Sequence, residues 1–139
     1  MNKTFSHLRV SSEFSITQGL LTIDQIVDQA KKYSIPSVAL TDNLNMFGLV
    51  KFFNKCESAG IKPISGASLR VIFDGDEMPH ELLCLAKTNK GHISLMKIIS
   101  QAHNNYNFSS PIITFNELCE IKEDLIVISG GKSSHLFEL

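Results

Sequence analysis

Tryptophan is absent from this 139-residue sequence, and only two tyrosines accompany its nine phenylalanines. No aromatic-rich surface for stacking single-stranded nucleic acid stands out. An excess of either charge is missing too. Thirteen basic residues against fourteen acidic ones leave a net charge of −1, which is not the basic field of a stand-alone nucleic-acid binder. Cysteine is sparse: Cys56, Cys84 and Cys119 are odd in number, widely spaced and form no Cys-x-x-Cys. That argues against a disulfide framework or a zinc knuckle and fits a reducing compartment. No apolar run reaches the roughly 18 residues of a membrane span, and the opening MNKTFSHLRV carries no apolar signal core. These absences point to a cytoplasmic protein with no membrane partner.

Apolar residues make up 43% of the chain, enough for one globular domain over residues 1–139. TFSHLRV alternates Phe5, His7 and Arg9 with Ser6, Leu8 and Val10, a short strand pattern. A polar loop, SSEFSITQG, follows. In TIDQIVDQAKKYS, Thr22 and Gln25 have capping-box spacing, and Ile23, Ile26, Val27 and Ala30 form a helical stripe. Ile35-Pro36 stops that helix, and SVALT is apolar enough for a strand covered on both faces.

FGLVKFFNKCESAG reads as a second helix with Gly60 placed to end it. IKPISGASLRVIFDG and HELLCLAKT read as strands joined by the turn-rich DGDEMP. GHISLMKIISQAHNN is a third helix, and TFNELCEI a shorter one with a capping box from Thr114 to Glu117. DLIVISGG is a last strand. Strands alternating with helices predict an α/β fold with a mainly parallel sheet. Functional groups of such sheets gather beyond the carboxyl ends of the strands, here Arg9 to Ser12, Asp42 to Asn45, Gly66 to Ser68 and Gly130 to Ser134.

Two near-motifs fail on geometry. SGGKSS ends like a phosphate-binding P-loop, but the glycine required five positions before Gly131 is Ile126. HELLC has Cys84 where a zinc protease needs its second histidine. The five histidines are scattered, with no pair at i, i+2 or i, i+4.

Five segments in order, FSHLRVSSEFSITQGL, VALTDNLNMFGLVKF, AGIKPISGASLRV, LLCLAKTNKGHISLMKIIS and LIVISGG, resemble one family. It is the N-terminal polymerase and histidinol phosphatase (PHP) domain of bacterial DNA polymerase III alpha subunits. The resemblance covers nearly the whole chain and implies a distorted seven-stranded β/α barrel, of which residues 1–139 would be the N-terminal half. Active members hold metal ions at the strand ends, through His-x-His after the first strand, Asp-His after the second, an acidic residue after the third and a further His. Those positions fall here on Arg9 and Ser11, on Asp42 and Asn43, on Ser68 and on Glu81. Asp42 alone matches outright.

Hydrolysis of a phosphate ester at such a site needs cations held by imidazoles and carboxylates. Arg9 would put a permanent positive charge where a cation would sit, with Asp42 as its expected ion-pair partner. The resemblance therefore implies a degenerate metal site with no catalytic residue, no metal and no other cofactor in this segment. The implied role is structural and subunit-docking. Implied partners are the rest of the alpha chain and a proofreading exonuclease, with DNA reached only through the parent polymerase. The competing readings are an active metal-dependent phosphoesterase or 3′ exonuclease, and an unrelated α/β protein whose glycine loops take an anion.

Overall fold

The computed structural model describes residues 5–105 and 110–131. Helix α1 (Ile23–Lys32) starts at the expected capping box: Thr22 Oγ1 accepts from Gln25 N–H at 3.2 Å, and Gln25 Oε1 accepts from Thr22 N–H at 2.9 Å. Strand β1 (Ser37–Leu40) and helix α2 (Leu49–Ala59) follow. Gly60 ends α2 with φ of 71°, a left-handed position that costs glycine little. Strands β2 (Lys62–Ile72) and β3 (His80–Ala86) form a hairpin, and α3 (Asn89–Asn105) returns over the sheet. The second capping box, Thr114 with Glu117, opens α4 (Phe115–Glu120), just after a two-residue strand β4 (Ile113–Thr114). Strand β5 (Leu125–Ser129) closes the described chain.

Three expectations need correcting. Residues 5–10 make no regular strand. His7 bridges Val38, and the carbonyls of His7 and Val10 accept from Ala39 and Thr41 N–H, each at 2.8 Å, but nothing more regular forms. Phe5, His7, Leu8 and Arg9 are all exposed, so no buried face holds a ladder in register. Next, β2 does not end at Ser68. Pairing with β3 from Gly66 to Val71 carries it on to Ile72. Finally, β3 is antiparallel to both its neighbours, so the sheet is mixed, although β1, β2, β4 and β5 share one direction. The small β4 was missed because two residues carry no period. Of the proposed last strand end, Lys132 to Ser134 lie outside the described residues.

The registers show which face each helix covers. Val38 and Leu40 pack with Ile23, Ile26, Val27, Phe52 and Cys56 of α1 and α2. Leu40 pairs with Ser65, and two and four residues further on, Ala67 and Leu69 pack under Leu95, Ile98 and Ile99 of α3 and Leu118 of α4. Paired residues share a face and alternation has period two. The four described helices therefore lie on one side of the sheet. On the other side Ala39 meets Leu83 and Leu85 across the intervening strand, with Ile64 and Ile128 beside them. Contact between β1 and β3 over β2 requires the sheet to curl, and Gly66 allows it: a Cβ there would stand 2.7 Å from the Cys84 carbonyl.

Cys84 of β3 and Cys56 of α2 are fully buried between the sheet and its helices. Burial pushes the Cys84 thiol up to about 12 and the Cys56 thiol up to about 11, from 9.0. Unfolded, both would ionise near 9, so their contribution to stability is intact below that pH and is lost as pH rises from about 9 toward 11–12. Unfolding free energy should fall with pH above 9, and Cys84→Ala should flatten the slope while costing some core packing. A slope unchanged by the substitution would remove this cause.

Candidate functional site

The polar cluster forms where the common strand direction ends. Because β3 runs backwards, its first residues reach the same edge as the last residues of β1 and β5, so Glu81 arrives beside Ser68 and Gly130. Arg9 comes from the segment alongside β1. Its guanidinium donates to Glu81 Oε1 at 2.6 Å and to the Gly130 carbonyl at 3.0 Å. The Ser68 hydroxyl donates to the same Glu81 Oε1. Three of the six sequence-predicted positions are thereby joined through their side chains.

Asp42 is not the partner of Arg9. It is 1% exposed and belongs to a separate network. Its Oδ1 accepts from Ser12 N–H at 2.7 Å and from the Ser15 hydroxyl at 2.6 Å, while Oδ2 accepts from the Ser12 hydroxyl at 2.7 Å. The Ser15 oxygen accepts in turn from Asn43 N–H at 3.0 Å. Three short donors from one loop satisfy a buried acid without any cation, and a guanidinium on the exposed side would have to displace them. The expected pairing fails for that reason.

Main chain links the two networks. Ser68 N–H donates to the Asp42 carbonyl at 3.0 Å, and Leu44 N–H donates to the Ser68 carbonyl at 2.9 Å, so Asn43 lies level with Ser68. The side chains of Asn43 and Ser11 make no hydrogen bond among the described residues, and neither joins the cluster. Leu44 turns the corner with φ of 51°, a left-handed conformation that leucine rarely adopts. Its carbonyl is held by His103 Nε2 at 2.8 Å, so the strained corner is fixed on both sides.

Ser12, Ser15, Leu44, His103 and Gly130 were not singled out as site residues, although Ser12, Leu44 and Gly130 fall within the expected strand-end stretches. The serine-rich SSEFS beside a strand end was the available signal for the first two. Nothing local marks the others, because they act through backbone groups distant in sequence.

Chemically the cluster is a closed set. Among the described residues its one carboxylate, Glu81, is occupied by a guanidinium and a hydroxyl, and Arg9 cannot act as a metal ligand. Among the described residues no three His, Cys, Asp or Glu side chains converge on a common point. This donor set does not fit a pair of divalent cations, which need several imidazoles and carboxylates.

The sequence profile of the PHP domain family matches residues 7–139. The chain belongs to the PHP domain family. It is similar to the DNA polymerase III subunit alpha of Escherichia coli K12, 43% identical over 131 residues covering 92% of this chain and 11% of that protein. The Vibrio cholerae subunit is 39% identical over 95% of this chain and 12% of its own length. This PHP domain thus spans about one ninth of the curated relatives it matches. Among solved structures, a protein assigned as a metal-dependent phosphoesterase from Bifidobacterium adolescentis superposes with a TM-score of 0.58 at 16% identity, covering 73% of this chain and 34% of that one. An amidohydrolase from Chromobacterium violaceum gives 0.57 at 19% identity, over 71% and 33%. At those identities the likeness concerns the fold alone. Among the described residues no helix is long and apolar enough to cross a membrane.

Proposed function

We propose that this PHP domain is a structural and subunit-docking part of a cytoplasmic DNA polymerase III alpha chain, and that its metal site is degenerate. The observation that carries the reading is the Arg9 guanidinium bonded to Glu81 and Gly130 at the strand ends. There a permanent cation neutralises the one carboxylate that a metal would need. Arg9, Ser11, Asn43, Ser68 and Glu81 are then relics of ligand positions, and Asp42 is a ligand position taken over by loop anchoring. Partners on this reading are the rest of the alpha chain and a proofreading exonuclease subunit, with nucleotidyl transfer performed elsewhere in the polymerase. One-sided helices and a curled sheet support the further reading of residues 1–139 as the N-terminal part of a seven-stranded β/α barrel.

The test has two arms. Dialysis against zinc and manganese followed by elemental analysis should leave less than one metal equivalent per chain, with no hydrolysis of p-nitrophenyl phosphate or of a DNA 3′ end. Co-purification should recover the exonuclease with the alpha chain, undiminished by Arg9→Ala. A full metal equivalent accompanied by hydrolysis would establish an active phosphoesterase and overturn the proposal.

A further inference from the structure

A hollow lies at the opposite edge from the Arg9 cluster, where β2 begins and β3 ends. It is an open groove of about 800 Å³ between the first turns of α2 and α3. Its size falls in the range of small-ligand sites, roughly 300–1,000 Å³, which are mostly apolar with a few convergent polar groups. Val50, Phe53, Ile64 and Ile126 supply apolar lining. Two of them are well exposed, Val50 at 76% and Ile126 at 50%, so apolar area remains to be covered.

The charges lining this groove are of one sign. Lys62 and Lys87 line it and, among the described residues, no acidic side chain does. Continued past Gly66↔Leu85, the β2–β3 register sets Lys87 level with Ile64, one alternation from Lys62. Among the described residues neither lysine forms an ion pair. Lys87 adds to the field on Asp124, but that carboxylate is taken by Lys90 at 3.0 Å and by the Thr88 hydroxyl at 2.9 Å. The walls are fixed relative to each other, since Ser65 on β2 and His92 Nδ1 on α3 are hydrogen-bonded at 2.8 Å. A preformed wall reduces the ordering cost of binding.

We propose that this groove binds a small amphiphilic anion, with its apolar body against Phe53, Ile64, Val50 and Ile126 and a carboxylate or phosphate head at Lys62 and Lys87. Neutral apolar molecules of the same size would leave two ammonium groups unmatched. A polar nucleotide would leave the apolar wall uncovered.

Calorimetric titration of the protein with decanoate, below its micelle concentration, tests this against decanol. Decanoate should bind one-to-one and about tenfold more tightly than decanol, the scale of one matched charge contact. Lys62→Glu combined with Lys87→Glu should remove that advantage and leave decanol binding unchanged. Both lysines are exposed, so the variant should fold, which circular dichroism would confirm. Decyl phosphate should behave as decanoate does. Absence of saturable binding, equal affinities for acid and alcohol, or indifference to the charge reversal would each overturn the proposal. So would binding to phosphatidic acid vesicles without binding to monomeric decanoate, because that pattern belongs to a flat basic surface.

Discussion

Asp42→Ala is expected to destabilise the protein by about 3 kcal/mol, since it leaves a buried backbone N–H and two buried hydroxyls without their acceptor. Asp42→Asn should cost less. Its amide oxygen can still accept, although its NH₂ would face donors where it needs an acceptor. The loop holding Ser12 and Ser15 should loosen first, seen as faster amide exchange at Ser12 and at Asn43, whose N–H bonds the Ser15 hydroxyl. Arg9→Leu should add to Asp42→Ala without coupling, because the two side chains share no partner. Arg9→Leu with Glu81→Gln, in contrast, should couple weakly, by about 0.5–1 kcal/mol, as befits a pair with a half-exposed arginine. Denaturation midpoints across these variants decide the matter. A strong Arg9–Asp42 coupling would show that the polar groups are one network rather than two.

Gly130→Ala should cost about 2–3 kcal/mol, the upper part of the range for overpacking a tight site. A Cβ on Gly130 would stand 2.2 Å from the Glu81 carbonyl oxygen, which already accepts from Gly130 N–H at 3.0 Å. Strand β5 would have to move away from β3 at its last pair, taking with it the carbonyl that Arg9 holds. Gly75→Ala makes a fair control. That glycine has open space around it, and its cost, about 1 kcal/mol, comes only from a φ of 93°. Thermal or chemical melts in which the two substitutions were equally mild would mean that β5 has no close contact with β3 at Glu81.

Local patterns were legible from the amino-acid order because their causes are local. Thr22 with Gln25 and Thr114 with Glu117 both cap their helices as spaced, and Gly60 ends α2. A side chain three residues from the backbone it bonds needs no tertiary context. The stripe Ile23, Ile26, Val27 and Ala30 is buried as its period requires. The ordered segments also carried the family, which the PHP profile over residues 7–139 bears out.

Pairing across the fold was decided elsewhere. Arg9 lies in the segment alongside β1 and Asp42 just beyond the end of β1, and complementary charge made a bridge between them reasonable. Which acceptor a guanidinium reaches depends on strand direction, and the reversal of β3 carried Glu81 to it. Asp42 was claimed by Ser12 and Ser15 because the loop folds over it and leaves it almost no contact with water. The one-sided helical layer and the curl past Gly66 also follow from registers between distant residues. Sequence alone thus determined most of the elements, their caps and the family, since each rests on contacts within a few residues or on order along the chain. Only the tertiary structure decided the partners of Arg9 and Asp42, because a hydrogen bond depends on positions to within a few tenths of an ångström that separate segments reach together.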